Sequence, residues 1–213
     1  MRARRPRWPH VPRGRAVLKD PTFWILARSS GLLAFAALTA STLLGLLVKA
    51  RPFRSLSRAT VTDLHRFVAT IALGSLAVHG TALVLDSAAP MPLPALAVPG
   101  LSPYRPVWTG AGVVAAELMI LIIASFPLRR FIGAKSWRRL HWATYALFAL
   151  AAVHGIAAGS DTSKPWAMAF YASTIGSVAA ATVWRALVPP PRRVATVPRV
   201  RHVPEPEPEG ALL

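Results

Sequence analysis

Apolar residues gather in five long blocks along this chain, near residues 22–48, 61–86, 108–126, 138–158 and 166–187. Each reaches the roughly 20 residues that a helix needs to cross the hydrocarbon of a bilayer. The pattern predicts an all-α protein, a polytopic membrane helical bundle of about five transmembrane helices, the first long enough to tilt. Between the second and third blocks lies SAAPMPLPALAVPGLSPYRP, whose prolines at 90, 92, 94, 99, 103 and 106 forbid a regular helix. Three regions follow: a disordered basic N-tail over 1–21, a membrane domain over 22–188, and a disordered Pro-rich C-tail over 189–213. The first block is too long for a signal peptide, and no A-x-A-like cleavage site follows closely.

Composition sharpens this picture. Of 213 residues, 54% are hydrophobic and 15% charged, and the mean hydropathy is +0.43. There is no cysteine, which excludes disulfides, thiolate nucleophiles, cysteine-held iron–sulfur clusters and covalent haem attachment through C-x-x-C-H. The net charge of +17 would suit nucleic acid, but the basic residues sit in tails and short loops beside apolar spans. There they meet anionic headgroups and set topology, so no nucleic-acid partner is expected.

Loop charge orients the bundle. Lys49, Arg51, Arg54 and Arg58 lie in one connection and Arg129, Arg130, Lys135, Arg138 and Arg139 in another, whereas the alternating connections carry only Arg105 and Lys164. This places 49–60, 127–139 and the C-tail in the cytoplasm of a bacterial-type plasma (inner) membrane. Five spans then put the N-tail outside, as the internal loops require, against the bias of its own seven basic residues.

Four histidines carry the candidate chemistry. His65 and His79 fall in the second block and His141 and His154 in the fourth, 14 and 13 residues apart. An intramembrane imidazole is costly and marks function by default. At 1.5 Å per residue the members of each pair are separated by roughly 20 Å, too far to share one metal ion. Equal depths instead match His65 with His141 near the inner face and His79 with His154 near the outer face. Each match could clamp one haem from both axial sides, giving two b-type haems suited to electron transfer. Fourteen positions bring His65 and His79 within about 40° of one face, but thirteen leave His141 and His154 about 140° apart on an ideal helix. The fourth span must therefore be distorted or strongly tilted. A haem-free transporter or proton relay through the histidines and Glu117, the one acid well inside a span, is the rival reading. A membrane anchor that recruits a flavoprotein through its tails is a third.

Other polar, aromatic and small residues accompany the histidines. Arg28 needs an anionic partner, for which outer haem propionates or Glu117 are candidates, unless it snorkels to headgroups; Arg66 could serve inner propionates or equally anchor at the interface. Asp63, Asp86 and Asp161 fall at span ends and are expected to be solvated. Trp24, Tyr104, Trp108, Trp137 and Trp166 read as interfacial anchors, while Trp142 and Tyr145 flank His141 where they could pack or stack on a porphyrin. Gly74, Gly80, Gly155 and Gly159 allow close approach of a helix or a ring.

The strings LHRFVATIALGSLAVHG and KSWRRLHWATYALFALAAVHG, with LARSSG in the first block, resemble the ferric reductase-like transmembrane domain family. That family includes the membrane parts of ferric reductases and NADPH oxidases, and the haem subunit of the periplasmic methionine sulfoxide reductase system. The resemblance implies that His65 and His141 ligate an inner haem and His79 and His154 an outer one. It implies an electron-transfer role, with ferric iron or a partner redox protein as acceptor. Oxidase-type members add a further span and a flavin- and nicotinamide-binding module; neither is found in this sequence, and no G-x-G-x-x-G follows a strand. Electrons are therefore expected from an external donor, a flavoprotein or quinol.

Overall fold

A backbone in hydrocarbon must satisfy its own polar groups, and long runs of Leu, Ala, Val and Ile do so as helices. The computed structural model describes residues 21–50, 57–87 and 91–187, and 85% of these are helical, with no strand among them. The elements are α1 (Thr22–Ala50), α2 (Arg58–Leu85), α3 (Pro106–Ile132), α4 (Ala134–His141), α5 (Thr144–Ala158) and α6 (Pro165–Leu187). Counting α4 and α5 as one, five helices are long and apolar enough to cross a membrane. This is the fold class expected from the apolar blocks. Apart from Pro21, the tails expected to be disordered, 1–21 and 189–213, lie outside the described residues.

Two boundaries differ from expectation. The third span runs past Phe126 to Ile132, carrying Pro127 inside it and ending at Gly133, whose φ of 80° only glycine adopts freely. The fourth is not one helix. Trp142 and Ala143 separate α4 from α5, and the amides of Trp142, Ala143 and Tyr145 bond three residues back, to Arg139, Leu140 and Trp142. Such 3₁₀ turns advance about 120° per residue instead of 100°, so three of them add roughly 60° of rotation. That overwinding moves His141 toward the face of His154 and supplies the distortion that thirteen-residue spacing requires. Among the described residues of the proline-rich connection, Leu93–Leu96 forms a short 3₁₀ turn. The connection is tied down where Tyr104 donates to the Ala158 carbonyl and Arg105 to that of Ala157.

The α1 helix is the spine. It packs along the length of α2 and also touches α5 and α6, while α3 packs on α5. By contrast α2 meets α3 only lightly and has no extended packing with α5, which leaves a cleft between α2 and the α3–α5 pair. Around Phe35, the rings of Phe148, Phe170 and Tyr171 form the aromatic centre of the core, with Phe35 and Phe148 stacked at 5.3 Å. Elsewhere the interior combines Leu38, Met119, Ile122 and Leu147 with many small residues, including Ala27, Ala72, Ala82, Ala115, Ala152 and Ala167. Many large apolar side chains nevertheless face outward, as Phe67, Val107, Phe131 and Leu187 do. This inside-out distribution suits a lipid solvent, where close backbone approach replaces hydrophobic burial as the packing force.

Candidate functional site

His65 and His79 sit on α2, His141 ends α4, and His154 lies near the end of α5. Across the cleft the rings meet in two pairs. The His65 and His141 centroids are 6.2 Å apart with planes at 77°, and those of His79 and His154 are 6.4 Å apart at 78°. These are the pairings that matched depth gave. The first pair lies at the end that bears the basic connections, the second at the end closed by the proline-rich connection.

Three of the four imidazoles are held in the same way. His79 Nδ1 lies 2.6 Å from the Ala27 carbonyl, His65 Nδ1 2.8 Å from that of Ser41, and His154 Nδ1 2.9 Å from that of Trp108. A carbonyl only accepts, so each Nδ1 carries the proton and each Nε2 is left with its lone pair. Four residues after each carbonyl comes a glycine over which the ring lies: Gly31 under His79, Gly45 under His65, Gly112 under His154. A methyl group at Gly112 would stand 2.5–2.8 Å from atoms of the His154 ring, and one at Gly31 would stand 3.0–3.1 Å from His79. One turn of helix separates carbonyl from glycine, so the missing side chain opens the groove through which the ring reaches the oxygen.

Such buttressing is what metal-ligating histidines show: the second nitrogen donates outward, fixing the tautomer and ring orientation. The ring separations fit as well. Two imidazole–metal bonds of about 2.0–2.1 Å, plus about 1.1 Å from each nitrogen to its ring centre, put the centroids about 6.3 Å apart. No third His, Asp or Glu completes a metal cluster at either pair among the described residues. Two imidazoles alone would not complete a metal's ligand set, whereas a haem would bring its remaining ligands with it. The residues present therefore fit two haems.

His141 is the exception. Its Nδ1 is buried with no hydrogen-bond partner among the described residues, and the same holds for Nε1 of Trp137, whose ring stacks on it at 5.0 Å. Trp137, expected as an interfacial anchor, thus lies on a candidate ligand. Trp142 and Tyr145 instead stack on each other at 5.6 Å.

The remaining candidates divide. Arg66 lies beside Asp63 at 3.8 Å and over the Phe126 ring, at the His65–His141 end, where inner propionates would fall. Arg28 is paired with Asp161 and donates to Ser160, joining α1 to the α5–α6 turn. Its guanidinium also covers Trp24. Asp161 is therefore an ion-pair member and Asp86 is buried, where both were expected to be solvated. Gly155 accommodates Tyr171, a helix contact, and does not face a histidine. Glu117 is exposed on α3, about 140° around the helix from Gly112, and so stands away from every histidine.

Gly45 and Gly112 were not read from the sequence. A signal was present: Gly31 and Gly45 are 14 residues apart, as are His65 and His79. Antiparallel neighbours with matched spacing place each glycine opposite a histidine.

No curated protein and no solved structure matches this chain. A family model matches residues 22–161, about two thirds of the chain, from the start of α1 through Asp161; this stretch holds all four histidines, their three glycines and Arg28. The chain belongs to the family described as Domain of unknown function (DUF8596).

Proposed function

We propose that this protein is a multi-pass b-type cytochrome of the plasma (inner) membrane that carries electrons between its two faces. The observation that carries this reading is the pair of imidazole clamps, with separations of 6.2 and 6.4 Å. When bound, the two haems would supply one-electron redox chemistry at fixed positions. The chain's own work is to hold them. His65 and His141 would ligate one and His79 and His154 the other, about 21 Å apart along α2 by residue rise. The Ala27, Ser41 and Trp108 carbonyls lock three of the rings, and Arg66 is placed for the propionates at the basic end. A haem held by two of these imidazoles would supply one-electron transfer in preference to oxygen activation. The resemblance to the ferric reductase-like family points the same way. By the distribution of Lys and Arg, the His65–His141 end faces the cytoplasm. The donor would be a flavoprotein or quinol, and the acceptor ferric iron or a partner redox protein. A proton relay through Glu117 is poorly supported, because that carboxyl lies on the far side of α3 from the histidines.

Purified protein should carry two haems per chain, with a Soret band and bis-histidine α-bands after dithionite reduction. Single His→Ala variants should fall into two groups: His65 and His141 variants lose one haem, His79 and His154 variants the other. A colourless preparation, or any other grouping of the four variants, would refute the reading.

A further inference from the structure

Glu117 poses a problem that the cytochrome reading leaves untouched. It is the twelfth of 27 residues in α3, about 17 Å along a helix of about 40 Å, and so close to mid-membrane. The face of α3 that carries Trp108 and Gly112 is taken up by α5. Glu117 points the other way. At 100° per residue, Ile120, Leu121, Ala124 and Leu128 lie within about 60° of it. All four are exposed, and Glu117 heads the stripe they form, which runs from it toward the C-terminal end of α3. Among the described residues no side chain or backbone group pairs with its carboxyl. A lone carboxylate facing hydrocarbon costs several kcal/mol, about 2.5–3.5 on insertion scales for an acidic residue at the helix centre. A group so placed finds a partner on another helix.

We propose that α3 is a self-association face, on which Glu117 of one copy hydrogen-bonds Glu117 of a second copy across a two-fold axis normal to the membrane. Depth selects this occupant. Copies of one chain insert with the same orientation, so a second α3 brings a hydrogen-bonding group to the same level as the first. In a parallel pair equivalent residues meet at the axis. Two carboxyls that share a proton satisfy one another, as each alone in lipid cannot. The small Ala124, two turns along the same stripe, lets the helices approach. The stripe faces away from the histidine cleft, so association leaves both imidazole pairs free and does not depend on what they bind.

Because the chain has no cysteine, single-cysteine variants report on the interface without background. Full-length protein carrying Ala124→Cys should form a disulfide-linked dimer in native membranes on mild oxidation. Ala172→Cys, at an exposed position on α6, should not. Dimerisation in lipid bilayers, followed by energy transfer between labelled copies as the protein-to-lipid ratio is varied, should weaken about tenfold in Glu117→Leu, the loss of one good interhelical hydrogen bond. Glu117→Gln, which keeps paired donors and acceptors, should stay within about threefold of the wild type. Helical circular dichroism and a monodisperse elution profile establish that each variant is folded. A wild type monomeric at every ratio, cross-linking through position 172 in place of 124, a Glu117→Leu variant as dimeric as the wild type, or a Glu117→Gln variant that is monomeric would each overturn the proposal.

Discussion

Gly112→Ala should remove one haem while leaving the bundle folded. The added methyl would meet Nδ1 of His154 at 2.5 Å, Cγ at 2.7 Å and Cε1 at 2.8 Å. Carbon contacts settle at about 3.5–4.0 Å, so the ring must retreat by about 1 Å. The bond from Nδ1 to the Trp108 carbonyl, now 2.9 Å, would then stretch beyond hydrogen-bonding range. Metal–ligand distances tolerate only about 0.2 Å, so the displaced ring cannot also keep its place opposite His79. Global stability should change little. Overpacking costs about 1–3 kcal/mol, and replacing glycine by alanine inside a helix returns about 1 kcal/mol. The other glycines grade the effect. Gly31→Ala brings a methyl to 3.0 Å from His79, needing a retreat of about half as much. Gly45→Ala meets His65 at 3.5 Å, an ordinary contact, and nothing lies within 4 Å of Gly176. Haem per polypeptide, measured as the pyridine haemochrome of purified protein, should fall to about half in Gly112→Ala, fall partly in Gly31→Ala, and stay whole in Gly45→Ala and Gly176→Ala. Two full haems with unchanged α-bands in Gly112→Ala would refute the reasoning, as would equal losses across the series.

Two further outcomes test the surroundings of the site. The Arg28–Asp161 pair, with side chains 22% and 28% exposed, should show a coupling of about 1 kcal/mol between Arg28→Gln and Asp161→Asn in a double-mutant thermal-stability cycle. Neither change should alter haem content; haem loss on Arg28→Gln alone would return Arg28 to the cofactor. The two haems should also differ in potential. Both rings of the His79–His154 pair donate to carbonyls, which raises ligand basicity and favours ferric iron, whereas His141 has no such partner. Arg66 adds positive charge at the His65–His141 end. Redox titration should therefore assign the lower potential to the haem lost in His79→Ala, and the reverse order would contradict this account.

The apolar blocks determined most of the architecture. Span number and approximate ends follow from local hydropathy and length, because a bilayer core has one thickness and tolerates little but helix. The matched depths of His65 with His141 and His79 with His154 follow equally from counting residues along two helices. Tertiary structure decided what counting cannot reach. The break at Trp142–Ala143 has no proline to announce it; it is visible only as amides bonding three residues back. Arg28 met Asp161, 133 positions away, because a turn beyond α5 folds over the end of α1. Gly45 and Gly112 gained meaning from the helices set against them. A glycine looks alike in sequence whether it stands on an open surface, as Gly176 does, or within a methyl group's reach of an imidazole, as Gly112 does. Hydrophobicity is a property of each residue and is written locally, whereas contact across a helix pair depends on relative rotation and approach, which only the packed bundle sets.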